Sequence, residues 1–387
     1  MIRRLEIAGF KRFSQLAIDF APLTVLTGTN GAGKTSVIQA LLLCREASRE
    51  GARTVQLNGP FGLELGSAAD VLNIHAAIET SEIRITLRFD HDRASEFVLD
   101  ARDQTLLYLP VKRPPDTGAD FVPLPLDGSD LVTRAGRSRS NRSFTYLCAE
   151  RLGPRDVLGA SAQPTDDLSV GVQGEYCAQV LGLQGLNAKI PRGRRHPAHQ
   201  QEVDAFLKYQ VETWLSDIVR PVEIDTVAFA NSSVTALRFR APGGEWVRAP
   251  NMGFGVSYAL PIVVAGLFTA EGGLLVVENP EAHLHPAGQS RIGAFLATVA
   301  ASGVQVLVET HSDHVLNGIR RAIGEHHILA APDAVVHFFD QETESQPVIS
   351  TVRFTSTGGL DQWPRRFFDQ YQIDVAALAR VRRSPAR

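Results

Sequence analysis

The sequence predicts an α/β fold: a mixed, largely parallel sheet covered by helices, with a compact β/α lobe inserted into it. Three observations carry this. A short β-branched run, Leu23–Thr27, enters the glycine-rich loop Gly28-Thr29-Asn30-Gly31-Ala32-Gly33-Lys34-Thr35, and a helical pattern follows. After residue 250, buried apolar strands alternate with helices. No heptad pattern is sustained anywhere, so the long stretch between must fold compactly rather than as a coiled-coil arm.

The elements follow in order. Ile2–Ala8, Leu16–Phe20 and Leu23–Thr27 read as strands, and Ser36–Cys44 carries apolar residues at helical spacing. Ile83–Asp100 reads as a hairpin with a polar turn. Pro110–Arg142, rich in Pro, Gly, Ser and Arg, reads as a long mobile loop. Glu202–Val219 places Val203, Phe206, Leu207, Val211, Trp214, Leu215 and Ile218 on one helical face, and Val222–Phe229 and Ser233–Phe239 follow as strands. The C-terminal alternation is helix 256–270, strand Leu274–Glu278, helix 287–300, strand Val304–Glu309, helix 313–323 and strand Ala334–Phe339. We therefore expect the first part of the helix-covered sheet at 1–60, an inserted lobe at 61–245, the second part of that sheet at 246–345 and a C-terminal docking segment at 346–387.

Composition excludes several classes. With 44% hydrophobic and 21% charged residues the chain is an ordinary globular protein, not a disordered one. A net charge of −3 gives no bulk signature of a nucleic-acid binder. Three scattered cysteines, Cys44, Cys148 and Cys177, make neither a disulfide framework nor a four-cysteine zinc site. The opening MIRRLEIAGF lacks the apolar core of a secretory signal, so none is expected, and the apolar run Tyr258–Phe268 is too short to span a membrane. A soluble cytoplasmic protein without membrane contact is expected.

The loop Gly28–Thr35 matches G-x-x-x-x-G-K-[ST] in its proper strand–loop–helix setting, which predicts a nucleoside triphosphate site. Its glycines let backbone amides face a polyphosphate, with Thr29, Asn30, Gly31, Ala32, Gly33 and Ser36 forming the cradle. Lys34 would reach the β- and γ-phosphates, and Thr35 would ligate Mg²⁺. Such a site needs a carboxylate at the end of a buried strand, and Leu274-Leu275-Val276-Val277-Glu278 supplies one, making Glu278 the second metal candidate. His283 and His285 lack a third convergent ligand for a metal of their own. His311, just past the strand Val304–Glu309, is placed to donate to a γ-phosphate; a helix capped by Ser312 beside an incidental histidine accounts for the same residues. Asn251-Met252-Gly253-Phe254-Gly255 opens a helix with small residues, which suits either an anion site or a plain glycine-rich turn.

The segments GTNGAGKTS, LLVVENPEAHLHP and VLVETHSDHVL, in this order, resemble the ATPase heads of the ABC superfamily in its SMC/RecF/OLD-like branch. The opening IRRLEIAGFKRFSQLAIDF resembles the start of those proteins. YLCAERLGPRDVLG (146–159) and GGLDQWPRRFFDQ (358–370) resemble a group of short stand-alone bacterial AAA/ABC-type ATPases, several of which sit in phage-defence gene clusters. The resemblance implies ATP and Mg²⁺ as cofactors, an ABC/SMC-head-like P-loop fold, and a homodimer in which Asn251, Gly253 and Gly255 act in trans on the partner's nucleotide.

One departure matters. In the resembling proteins an Asp followed directly by a water-polarising acid closes the strand; here the pair is Glu278-Asn279. An amide cannot accept a proton, so hydrolysis is expected to be slow or partner-stimulated, with Glu281 or His311 left to orient the water. The expected role is an ATP-gated switch acting on a protein effector, with a RecF-like DNA-repair protein as the alternative. Arg134–Arg142 and Arg192–His196 are candidate contacts to DNA or RNA, or solvated loops. Arg151 and Arg155 are phosphate contacts or structural, and Lys11 and Arg12 are candidates for the base by position. OLD-like relatives carry a Toprim nuclease with a D-x-D motif. The match here, Asp90-His91-Asp92, falls in the predicted hairpin, so any cutting residues belong on a partner chain.

Overall fold

The computed structural model describes residues 1–49, 52–75, 80–112, 141–199, 201, 205–340 and 347–383. Three strands, β1 (Ile2–Phe10), β2 (Phe13–Asp19) and β3 (Leu23–Gly28), lead into α1 (Lys34–Ala47). Then come β4 (Thr54–Gln56), the short α2 (Ala68–Val71), β5 (Glu82–Phe89), β6 (Ala94–Asp100) and β7 (Tyr108–Lys112). The middle of the chain holds β8 (Phe144–Leu147), β9 (Val157–Gly159), α3 (Cys177–Gln184), α4 (Leu207–Ile218), β10 (Glu223–Ala228), β11 (Val234–Arg240) and β12 (Val247–Arg248). The last part is α5 (Phe254–Phe268), β13 (Leu274–Glu278), α6 (Pro286–Ala301), β14 (Gln305–Glu309), α7 (Asp313–Gly324), β15 (Ala334–Asp340), β16 (Val348–Arg353) and α8 (Gln370–Arg383).

The central sheet has the order β16-β15-β3-β14-β13-β8. Its neighbours are parallel except for the antiparallel β15/β16 edge. A parallel sheet covered on both faces should read as continuous apolar runs, and β13 and β14 are buried at every position. Alternate side chains serve opposite faces. Leu275, Val277, Val306 and Val308 enter the core formed with α3 to α7, whereas Leu274, Val276 and Leu307 enter the core formed with α1 and the N-terminal sheet. That second sheet is antiparallel, in the order β2-β1-β5-β6-β7-β4. A third, small sheet pairs β10-β11-β12, with β9 also on β11.

Side chains stitch the sheets together. Gln305 at the start of β14 accepts from the Ile2 amide (2.9 Å) and donates to the Ile2 carbonyl (2.7 Å). The buried His337 of β15 reaches the Asp19 carbonyl at the end of β2 (2.7 Å).

The fold is α/β with a mixed sheet, as the sequence predicts, and the longest helix among the described residues is α6, with 16 residues. The stretch 61–245, expected as a lobe, is interleaved with the rest: β5–β7 extend the N-terminal sheet and β8 joins the central one. The amphipathic helix expected from Glu202 begins at Leu207, with 202–204 outside the described residues. The loop expected at Pro110–Arg142 lies outside them for 113–140. Of the C-terminal docking residues, Phe367 is fully buried against Phe338 (ring centroids 5.3 Å), while Trp363 is 48% exposed. No helix among the described residues is long and apolar enough to cross a membrane.

Candidate functional site

β3 ends at Gly28, where a side chain would stand 2.0 Å from the Phe339 carbonyl oxygen; the close approach of β15 there requires glycine. The loop turns through Gly31 and enters α1 at Gly33, whose left-handed backbone (φ 104) is the helix N-cap. The first amides of α1 lack intrahelical partners, so this end of the helix is suited to an anion. Lys34 is buried, and its ammonium donates to the carbonyls of Gly28 (3.1 Å) and Thr29 (2.8 Å). Burial holds its pKa below the usual lysine range, against the opposing pull of Glu309.

The Thr35 hydroxyl donates to both oxygens of Glu309, at 3.0 and 3.1 Å. Burial, helped by the nearby Glu278, pushes the Glu309 carboxyl up to about 7. Glu278 lies one strand further from the loop. Its carboxylate accepts from the Tyr146 hydroxyl (3.0 Å) and the Ala149 amide (3.1 Å), and burial raises its pKa too. Asn279 takes a left-handed backbone (φ 44), which Asn tolerates better than most residues, and its side-chain oxygen is buried without a hydrogen-bond partner. Glu281 accepts from the Thr310 hydroxyl (2.7 Å) and the His311 amide (2.8 Å), so both its oxygens hold the exit of β14. Burial and Lys34 lower the pKa of His311 against the pull of Glu281, which favours a neutral imidazole.

A cavity of about 430 Å³ opens over the loop. Of the expected residues, Asn30, Gly31, Gly33, Lys34, Thr35, Ser36, Asn279 and His311 line it, as do Lys11 and Arg12. Thr29, Ala32, Glu278 and Glu281 do not line it. Sequence reading missed Glu309 and Gln39, which both line it; the Lys11 ammonium donates to Gln39 (2.7 Å). Asn251, Gly253 and Gly255 lie apart at the start of α5, where Asn251 and Gly253 are exposed and nothing stands within 4 Å of a side chain built at Gly253.

The residues fit a nucleoside triphosphate with Mg²⁺: a glycine loop at a helix start, a buried lysine, and hard oxygen donors from Thr35 and Glu309. No group of three or more His, Cys, Asp or Glu that could hold a metal occurs among the described residues. His285 instead caps α6 by accepting from the Ala287 amide (3.3 Å), and His283 packs on Tyr258 (4.3 Å).

Arg151 resolves as structural. It is buried and donates to the carbonyls of Cys148 (2.9 Å), Glu278 (2.5 Å) and Asn279 (2.7 Å). Arg155 is exposed. In the expected basic loops, Arg194 is buried and donates to Ser302 (2.7 Å) and the Thr269 carbonyl, and Arg142 stacks over Phe268 (4.0 Å). Residues 134–140 lie outside the described residues. A larger groove of about 770 Å³ lies between α4, α6 and α7, but its Arg291 and Arg321 are already engaged by Asp217 and Glu325.

Residues 1–135 match the AAA ATPase domain family, and 193–317 match an AAA domain family whose description names the AbiEii toxin of type IV toxin–antitoxin systems. Residues 329–378 match a family of unknown function, DUF3696. The OLD nuclease of Thermus scotoductus is 22% identical over 402 residues, a match covering 97% of this chain and 69% of that protein. Among solved structures, an SMC head bound to the C-terminal winged-helix domain of ScpA superposes at TM-score 0.48 and 13% identity, over 91% of this chain and 97% of that one. The SMC head domain of Thermotoga maritima gives 0.42 and 12%, over 92% and 99%. Parts of the chain thus match AAA-type ATPase domain families, and most of its length is similar to an OLD nuclease.

Proposed function

We propose that the chain is an ATP-gated switch with slow intrinsic hydrolysis: ATP binds over the P-loop, joins two copies of the chain, and the closed pair acts on a protein effector in anti-phage defence. The observation that carries the reading is Asn279. It lines the cavity directly after the strand-end acid, and its amide cannot take a proton from an attacking water. The loop amides and Lys34 would hold the phosphates, while Thr35 and a strand-end carboxylate would hold Mg²⁺. Bound Mg²⁺ would neutralise charge on the β- and γ-phosphates. The exposed start of α5, with open space around Gly253, leaves room for a second copy's nucleotide. The defence setting is supported by the toxin–antitoxin description of the matching family. We do not assign nuclease chemistry to this chain: Asp90 of its D-x-D is taken up by the Met1 ammonium (2.8 Å) and Arg3 (2.6 Å).

The test is the mass of the purified protein in solution with and without ATP·Mg²⁺, together with turnover alone and with double-stranded DNA. Dimerisation on ATP with turnover near background is expected. Asn279→Asp should raise turnover, because Asp restores a carboxylate and, like Asn, accepts the left-handed backbone. Brisk turnover by the unaided wild type would refute the switch, and strong stimulation by DNA would favour the repair-type reading.

A further inference from the structure

We propose that Glu309, and not the strand-end acid Glu278, is the carboxylate that positions Mg²⁺ in the nucleotide site. The assignment rests on the nucleotide reading above and follows from which acid reaches the P-loop hydroxyl.

In P-loop ATPases the loop Ser or Thr is itself a metal ligand, so the acid that serves the metal must work beside that hydroxyl. Glu309 does so with both oxygens, at 3.0 and 3.1 Å from Thr35 Oγ1, and it lines the cavity. Glu278 does neither. One of its oxygens accepts from Tyr146 and the other from the Ala149 amide, so its carboxylate is turned toward the exit of β8.

The strand order gives the reason. β14 stands between β3 and β13, and Glu309 is in register with Leu26 of β3 on one side and Glu278 of β13 on the other. Glu309 is thus one strand nearer the loop, and its side chain shares a face with Leu307, toward α1. Mg²⁺ is usually held by one or two carboxylates, with phosphate and water completing its shell. Thr35 and Glu309 supply that small set of hard oxygens. Glu278 then becomes a positioning residue, tying β8 to β13.

The discriminating experiment measures ADP affinity of the full chain in EDTA and across a Mg²⁺ titration, with Mn²⁺ binding to the ADP complex followed by electron paramagnetic resonance. Wild type, Glu309→Gln, Glu309→Asp and Glu278→Gln are compared. Glu309→Gln keeps the size of the side chain and an acceptor for Thr35. It should bind ADP as wild type does in EDTA, yet require about 10- to 100-fold more metal, with Glu309→Asp in between. Glu278→Gln should keep the wild-type metal response even if its thermal midpoint falls. The reverse pattern, with metal response intact in both Glu309 variants and lost in Glu278→Gln, would overturn the assignment. Wild type that binds no ADP in either condition would instead overturn the nucleotide reading and this assignment with it.

Discussion

Arg151 braces the candidate site without touching its cavity. Three carbonyls, from Cys148, Glu278 and Asn279, converge on one buried guanidinium, whose planar fork suits several acceptors at once. Arg151→Met should therefore cost roughly 2–4 kcal/mol, since it strands buried acceptors, and Arg151→Lys should recover only part of the loss. Urea unfolding measures both; a loss below about 0.5 kcal/mol would mean that water replaces the guanidinium. The sequence left Arg151 open between phosphate contact and brace, because spacing says nothing about which carbonyls a side chain meets. Glu309 was missed for a related reason. LLVVE and QVLVE both end in Glu, and only the strand order decides which acid faces Thr35.

Elements were far more legible than partnerships between them. Beyond residue 250 the strands are continuous apolar runs and the helices between them carry clear stripes, so β13, α6, β14, α7 and β15 appear within a residue or two of their expected bounds. The hairpin at Ile83–Asp100 is equally plain, with His91 and Asp92 at positive φ in its turn. β8, β4 and α3 were not expected. β4 and β8 span only three or four residues, and they are strands because distant neighbours pair with them, a non-local fact.

One element carries a pH dependence. His337 of β15 is wholly buried, with Nε2 facing the Asp19 carbonyl and Nδ1 3.1 Å from the Thr351 hydroxyl. Burial lowers its pKa against the pull of the Asp19 contacts. A histidine harder to protonate folded than unfolded stabilises the protein above its ordinary pKa of 6.5, and that stability is lost as pH falls below it. His196 and His311 shift in the same direction, so the contribution of His337 is read as a difference. Denaturant unfolding at pH 7.5 and 5.5 should show a smaller acid loss in His337→Gln than in wild type; equal losses would refute the assignment.

At the scale of the molecule, two cores share one sheet. Each holds a fully buried cysteine, Cys44 on the α1 side and Cys177 on the α3–α7 side, and burial pushes both thiols well above the usual range, so neither should react in the native state. They are natural reporters of the two cores. Because β3, β13, β14 and β15 contribute side chains to both, the cores should open together. Alkylation at increasing urea, read peptide by peptide, should give one midpoint for Cys44 and Cys177; two separated midpoints would show that the cores unfold independently.

The interleaved sheet also sets a timetable. β3 has β14 on one edge and β15 on the other, both drawn from the far end of the chain, and Ile2 meets Gln305 across 303 positions. A ribosome adding about 5–20 residues per second needs tens of seconds to supply those neighbours. Throughout that interval the emerging chain carries an apolar strand with both edges bare, directly ahead of its glycine-rich loop. Biogenesis is therefore the exposed phase of this protein's life, and its yield in a cell should depend on chaperones that shield nascent chains more than on the stability of the finished molecule.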